Sequence, residues 1–191
     1  MDKTDRRVQR TRRMIYSALT ELLLEKEINH ITVQELADRA DIHRVTFYSH
    51  YADIYELYDE YLSFLMTEVQ NMLAPDPTHS YEGFYIAMTD FLDEHRDVAA
   101  LFYGNSVQLP LLEELVRLME EKYLEIWLYE SGLKTVTEEM RYLTAYNVNG
   151  SNGILSKWAR QGFAESKEKI IQYLKAANDA FDHIDQYMSG A

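Results

Sequence analysis

The sequence predicts an all-α protein of about nine helices, an N-terminal three-helix unit followed by a C-terminal helical bundle. Three observations carry this. Apolar residues recur three and four apart nearly throughout, and no stretch alternates as a half-buried strand would. Breakers are scarce, with seven Gly and three Pro in 191 residues. Side chains suited to capping stand at the head of most apolar runs.

The first helix is expected over residues 5–26, with Ile15, Ala18, Leu19, Leu22 and Leu23 as its apolar stripe. Its start carries Arg6, Arg7, Arg10, Arg12 and Arg13. Positive charge there opposes the helix macrodipole, which invites an anionic partner as the compensating reason; a solvated, frayed arm is the plain alternative. The second helix begins after Thr32, which forms a T-x-x-E capping box with Glu35, and continues through Val33, Leu36, Ala37 and Ala40. Asp41 marks a sharp turn, since Asp tolerates left-handed backbone better than most residues. Ile42 is placed to plug the corner. A short third helix follows over about 43–50, with Phe47 and Tyr51 on one face and Arg44, Val45, Thr46 and Tyr48 directed elsewhere. Asp53 and Glu56 form a second capping box. It opens a fourth helix whose stripe is Leu57, Tyr61, Leu62, Leu65, Val69 and Met72.

The clearest break lies over residues 74–79, where two prolines fall. Beyond it, Ser80 is expected to cap a fifth helix with Phe84, Met88, Phe91 and Leu92 inward. Asp97 is expected to cap a sixth that ends at Gly104 and Asn105. A seventh starts near Pro110 and stops at Gly132. The eighth runs over about 137–161 with Gly150, Ser151 and Gly153 in its interior, and Ser166 caps the ninth. Interior glycines cost up to roughly 1 kcal/mol each relative to Ala, so close helix packing or a ligand against the backbone is expected there, a kink being the alternative.

The formal net charge is −13, but it is unevenly spread. Residues 1–51 carry nine Lys/Arg against eight Asp/Glu, and residues 52–191 carry ten against 24. A basic arm on an acidic body can still engage phosphates, because salt screens charges beyond roughly 10 Å. The absence of cysteine excludes disulfides and thiolate metal sites and points to a reducing cytoplasm. The Arg-rich start does not read as a secretory signal, and no run approaches the ~20 apolar residues of a membrane span.

Two short helices around a tight turn are a helix-turn-helix signature. Residues 31–57 carry it further. Leu36-Ala37-Asp38-Arg39-Ala40-Asp41-Ile42-His43, then Thr46-Phe47-Tyr48-Ser49-His50-Tyr51, then residues 54–57, resemble the TetR/AcrR family of bacterial transcription regulators. The likeness covers about residues 6–62, including the Arg-rich first helix; beyond that only helix number and order agree. Residues 149–158 resemble the subgroup that regulates dihydroxyacetone kinase operons. Three positions depart from the family pattern. Asp41 stands for the turn glycine, His43 for the serine cap, and Ile54 for a lysine that would contact phosphate. The resemblance implies two domains, a helix-turn-helix DNA-binding domain over 1–52 and a helical effector-binding and dimerisation domain over 53–191.

The resemblance further implies that the third helix enters the major groove. Arg44 then suits base readout, since a guanidinium pairs bidentately with guanine O6 and N7. His43 and Val45 adjoin it, Val45 being fit to touch a thymine methyl. Thr46 and Tyr48 offer hydroxyls to phosphates, and His50 a further contact. Thr32 sits at a helix N-terminus, where amides favour a phosphate. Arg10, Arg12 and Arg13 reach toward the flanking backbone or minor groove. Out of context, Tyr48 is equally a half-buried aromatic and Thr32 only a cap.

A palindromic operator calls for a two-fold protein. Pairing through the last two helices would place two third helices about 34–36 Å apart. Ile154, Leu155, Trp158, Ile170, Leu174 and Phe181 are the expected interface residues. The resemblance also implies a small-molecule effector that shifts the dimer away from its DNA-bound form. Candidate ligand residues are Phe102, Tyr103, Tyr123, Trp127, Tyr146 and Asn147, with Tyr85, Asn149 and His95 nearby in kind; ordinary core packing accounts equally well for the aromatics. No cofactor or metal is expected. Six scattered histidines, with no H-E-x-x-H, Gly-rich phosphate loop or nucleophile elbow, argue against an enzyme. The competing reading is an all-helical interaction module, or a constitutive regulator without a ligand.

Overall fold

The computed structural model describes residues 3–74, 79–104 and 109–189, and side chains for 6–74, 79–104 and 110–180. Most of the expected break over 74–79, Asn105 and the side chain of Phe181 lie outside the described residues. Nine α-helices and one 3₁₀ turn, with no strand, make up the described chain. They are α1 (Lys3–Glu25), α2 (Val33–Arg39), α3 (Arg44–Tyr48), α4 (Ile54–Leu73), α5 (Tyr81–Glu94), α6 (Arg96–Tyr103), α7 (Leu109–Ser131), α8 (Glu138–Arg160) and α9 (Lys167–Ser189).

The N-terminal helices close over one apolar face of α1. Ile15, Leu19, Leu22 and Leu23 are wholly buried there, each contributing roughly 1.5–3 kcal/mol, and they meet Leu36, Phe47, Tyr51 and Leu57. Ile54 is buried too, so the position where the family pattern has a lysine serves the core. Local chemistry sets the helix boundaries. Thr32 Oγ1 accepts the Glu35 N–H at 3.2 Å. Asp53 Oδ1 accepts the Tyr55 and Glu56 N–H groups at 2.8 and 3.0 Å, while Glu56 reaches back to the Ala52 N–H at 2.5 Å. α2 ends in a Schellman turn: Ile42 N–H bonds Ala37 C=O at 3.0 Å and Asp41 N–H bonds Asp38 C=O at 3.3 Å, with Asp41 left-handed at φ 52°. Asp41→Gly is therefore expected to raise stability by up to about 1 kcal/mol, read as a higher urea midpoint, because it removes the Cβ penalty.

In the second half, α5 packs against α9, α7 against α8, and α8 against both α9 and α6. α4 runs from the N-terminal helices into this bundle, touching α5 and α7, and α6 returns to α1. Ser80 and Thr137 cap α5 and α8. Asp97 is not a cap. α6 restarts at Arg96, one residue after α5 ends, so the cap position falls to His95 and Asp97 sits in the first turn, where its charge suits the macrodipole.

The eighth helix places its glycines outward. A Cβ added at Gly150 or Gly153 would meet nothing within 4 Å, so close packing within the protomer does not account for them. Leu155, Trp158, Ile170 and Leu174, expected at an interface, are instead sealed inside the protomer's own core. They stand three and four apart, on the faces that α8 and α9 turn to the rest of the bundle. Of that group, Ile154 alone among the described side chains is partly exposed.

Candidate nucleic-acid interface

The short α3 is anchored by Phe47, wholly buried, and by Tyr51 just beyond it. With that face committed to the core, its neighbours are turned out. His43, Arg44, Val45 and Tyr48 are exposed, and Thr46 and His50 are half-buried. Val45 is 80% exposed and Tyr48 50% exposed, far more than core packing would leave such residues. The Arg44 guanidinium carbon lies 6.0 Å from the Tyr48 ring centroid, a cation–π contact across one helical turn. His43 occupies the N-cap position of α3 without making a side-chain cap bond.

A groove of ≈620 Å³ separates α3 from α1. Arg7, Arg10, Thr11 and Met14 line one side, and Asp38, Asp41, Ile42, His43 and Thr46 the other. Arg10, His43 and Thr46 are thereby brought together. Arg13 is exposed on α1, and Thr32 is exposed at the head of α2. Two features were not anticipated. Arg7 joins the groove, and Asp38 and Asp41 line it, adding negative charge on that side.

Arg12, unlike the exposed Arg10 and Arg13, is half-buried. It turns inward, and its Nη2 pairs with Glu60 Oε2 on α4 at 3.1 Å. Tyr16 and Tyr51 donate to Glu60 Oε1 at 2.6 and 2.8 Å. Partial burial pushes the Glu60 carboxyl up, but the two phenol hydrogen bonds and the charge of Arg12 outweigh it and hold it below the ordinary carboxylate range. Burial first, and Glu60 second, push both phenols up.

The expected ligand residues are brought together only in part: Tyr146 and Asn147 line one groove on α8, and Asn147 and Tyr123 share Asn178. Phe102, Tyr103 and Tyr123 are fully buried, while Tyr146 is 71% exposed on α8. The Tyr103 hydroxyl donates to Asn152 at 2.6 Å, and burial pushes it upward in pKa. Tyr123 belongs to a separate polar cluster. Asn178 Oδ1 accepts from Tyr123 at 2.7 Å, Tyr85 at 3.2 Å and Asn147 Nδ2 at 3.3 Å, while Ser151 donates to Asn147. The hydroxyl of Thr144, on the same helix as Asn147, is buried without a hydrogen-bond partner. Trp127 is partly buried with its ring edge-on to Tyr123. Among the described residues, no group of three or more His, Cys, Asp or Glu is placed to hold a metal, and no helix is long and apolar enough to cross a membrane.

Comparison with known proteins places this architecture. No curated protein sequence matches the chain. Solved structures with the same fold include a TetR transcriptional regulator from Streptococcus agalactiae, 23% identical over 90% of this chain and 94% of that one, with a TM-score of 0.63. The dihydroxyacetone kinase operon activator DhaS is 16% identical over 90% and 96%, with a TM-score of 0.61. NalD, the secondary repressor of a multidrug efflux pump in Pseudomonas aeruginosa, is 16% identical over 88% and 93%, at 0.57. A family model described as the C-terminal region of TetR-type transcriptional regulators matches residues 79–179, more than half of the chain. This protein belongs to the TetR family of DNA-binding transcriptional regulators.

Proposed function

We propose that the chain is a homodimeric repressor that binds a palindromic operator through α3 and is released by a small-molecule effector. The observation that carries the DNA contact is the outer face of α3, where His43, Arg44, Val45 and Tyr48 stand clear of the core beside the arginines of α1. In this reading Arg44 and Val45 read base edges. Thr32, Thr46, Tyr48, His50, Arg10 and Arg13 hold phosphates and fix register. The domains divide near residues 52 and 53, with α4 as the link.

Dimerisation is supported by the outer face of α8 and α9. A groove of ≈590 Å³ there is lined by Ala145, Tyr146, Asn149, Gly150, Ile154 and Ala177. Small residues allow close helix approach, and a partner helix would offset the glycine penalty that nothing in the protomer offsets. The interface is thus redrawn onto these outward residues. Sedimentation at micromolar concentration should give a dimer, and a gel shift on a duplex selected from a random pool should show affinity falling steeply with salt. A monomer with salt-independent binding would favour an interaction module instead.

The effector seat best supported is the Asn178 cluster, where Asn147 and Tyr123 converge; the unpartnered, buried Thr144 hydroxyl lies on the same helix as Asn147, three residues before it. Entry there requires these internal hydrogen bonds to be exchanged for ligand ones. The close packing of Phe102 and Tyr103 favours a second reading, a regulator without a small-molecule effector. A thermal-shift screen coupled to operator release separates the two. The structural relatives include both an activator and a repressor, so reporter transcription with and without the protein decides the sign.

A further inference from the structure

One carboxylate, Glu60, gathers the two elements that face the DNA. It accepts from Tyr16 and pairs with Arg12, which lie one turn apart on α1. It also accepts from Tyr51, which follows directly on the turn that ends α3. Glu60 itself belongs to α4, the helix that continues into the C-terminal bundle. Hydrogen bonds to a charged acceptor are the strong kind, and here three donors share one. Arg12 is bound differently from its neighbours. Arg10 and Arg13 are exposed, whereas Arg12 is half-buried with its Nε enclosed and without a partner.

We propose that Glu60 is a positioning residue for DNA binding, and that Arg12 is its tether rather than a phosphate contact. This rests on the DNA-binding reading above. Glu60 fixes the angle of the arginine-bearing arm relative to α3 and locks both to α4. The arm, the recognition helix and α4 then move as one body, so the spacing between the two half-sites that the dimer accepts is narrow. Neither effect adds a charge contact with DNA. That separates the tether from a phosphate contact, because each phosphate contact leaves its mark in the salt dependence.

The test uses the full-length protein and a duplex selected by the wild type from a randomised pool. Affinity is measured against salt for Arg10→Gln, Arg13→Gln, Arg12→Gln and Glu60→Gln. It is measured again on duplexes whose half-sites are moved closer or apart by single base pairs. Arg10→Gln and Arg13→Gln are expected to flatten the log–log salt slope by roughly 0.9 per lost contact. Arg12→Gln and Glu60→Gln are expected to weaken binding by about tenfold or more with the slope unchanged, and to broaden the accepted spacing. A role in stability alone would lower the folded fraction without broadening the spacing, which would overturn the assignment. So would a slope for Arg12→Gln that falls as far as that for Arg10→Gln. The slope for Arg12→Gln decides the matter even if Glu60→Gln fails to fold. A wild type that enriches no duplex would overturn the DNA-binding reading, and the assignment with it; a wild type that binds while Arg12→Gln loses slope overturns the tether alone.

Discussion

Arg44→Ala is expected to weaken specific DNA binding by roughly 2–6 kcal/mol in a dimer, taking ~1–3 kcal/mol per bidentate base contact and two half-sites. The two copies would act far apart, so their losses add. Arg44 is exposed at the first position of α3 and makes no ion pair among the described residues, so its removal should leave the fold intact. A cation near a helix N-terminus is slightly unfavourable and the exposed contact with Tyr48 is worth a comparable amount, so the melting temperature should hardly change. Base preference should relax at one symmetry-related position in each half-site. Arg44→Lys sharpens the test, since it keeps the charge and loses the planar fork. It should retain the salt slope and lose the preference. A gel-shift series at fixed salt, run on the selected duplex and its single-base variants, reads all three quantities. Unchanged affinity and preference in Arg44→Ala would remove Arg44 from the readout.

Asn178→Ala is expected to cost about 2–4 kcal/mol of stability, with the urea midpoint lowered and the m-value unchanged. Asn178 is 5% exposed, and its side-chain oxygen is the shared acceptor for Tyr85 on α5, Tyr123 on α7 and Asn147 on α8. Truncation withdraws that acceptor from all three helices at once and leaves a small void, and a buried polar group that loses its partner bears most of its desolvation cost. Asn178→Leu fills the void but restores no acceptor, so it should recover little. Recovery to wild-type stability by Leu would mean that the cluster contributes packing volume only. Ala177, next in sequence, lines the outer groove of α8 and α9, so the dimer should weaken along with the fold. Sedimentation below the unfolding midpoint measures that second effect.

Features that depend on a few neighbouring residues are legible in the sequence. Thr32, Asp53 and Ser80 cap the helices expected of them, because a cap is a hydrogen bond to an amide two or three residues on. The left-handed Asp41 follows from the same locality. Asp97 misled because its role depended on where α5 stopped, which packing decides. The Glu60 hub left no trace in the sequence: Tyr16 and Arg12 stand 44 and 48 residues away. Asn178 is likewise 55 and 93 residues from the tyrosines it joins. No periodicity links such partners. The aromatic candidates for a ligand site are divided, Phe102 and Tyr103 in the packed core and Tyr123 in the Asn178 cluster, for another reason. A pocket wall and a packed core both place large apolar residues at helical spacing, and only their neighbours tell them apart.

The all-helical fold, the order and ends of most helices, the helix-turn-helix and the family can be read from the order of residues. Each is written in short-range pattern: apolar spacing, caps, and a turn flanked by characteristic residues. The tertiary structure alone decided which faces are used. It sent Leu155, Trp158, Ile170 and Leu174 inward and left Gly150 and Gly153 outside, because burying the largest apolar surfaces within the protomer is worth the most free energy. It turned Arg12 away from its neighbours to meet Glu60, because a carboxylate half-sheltered beneath two tyrosines is satisfied only by donors that folding brings to it.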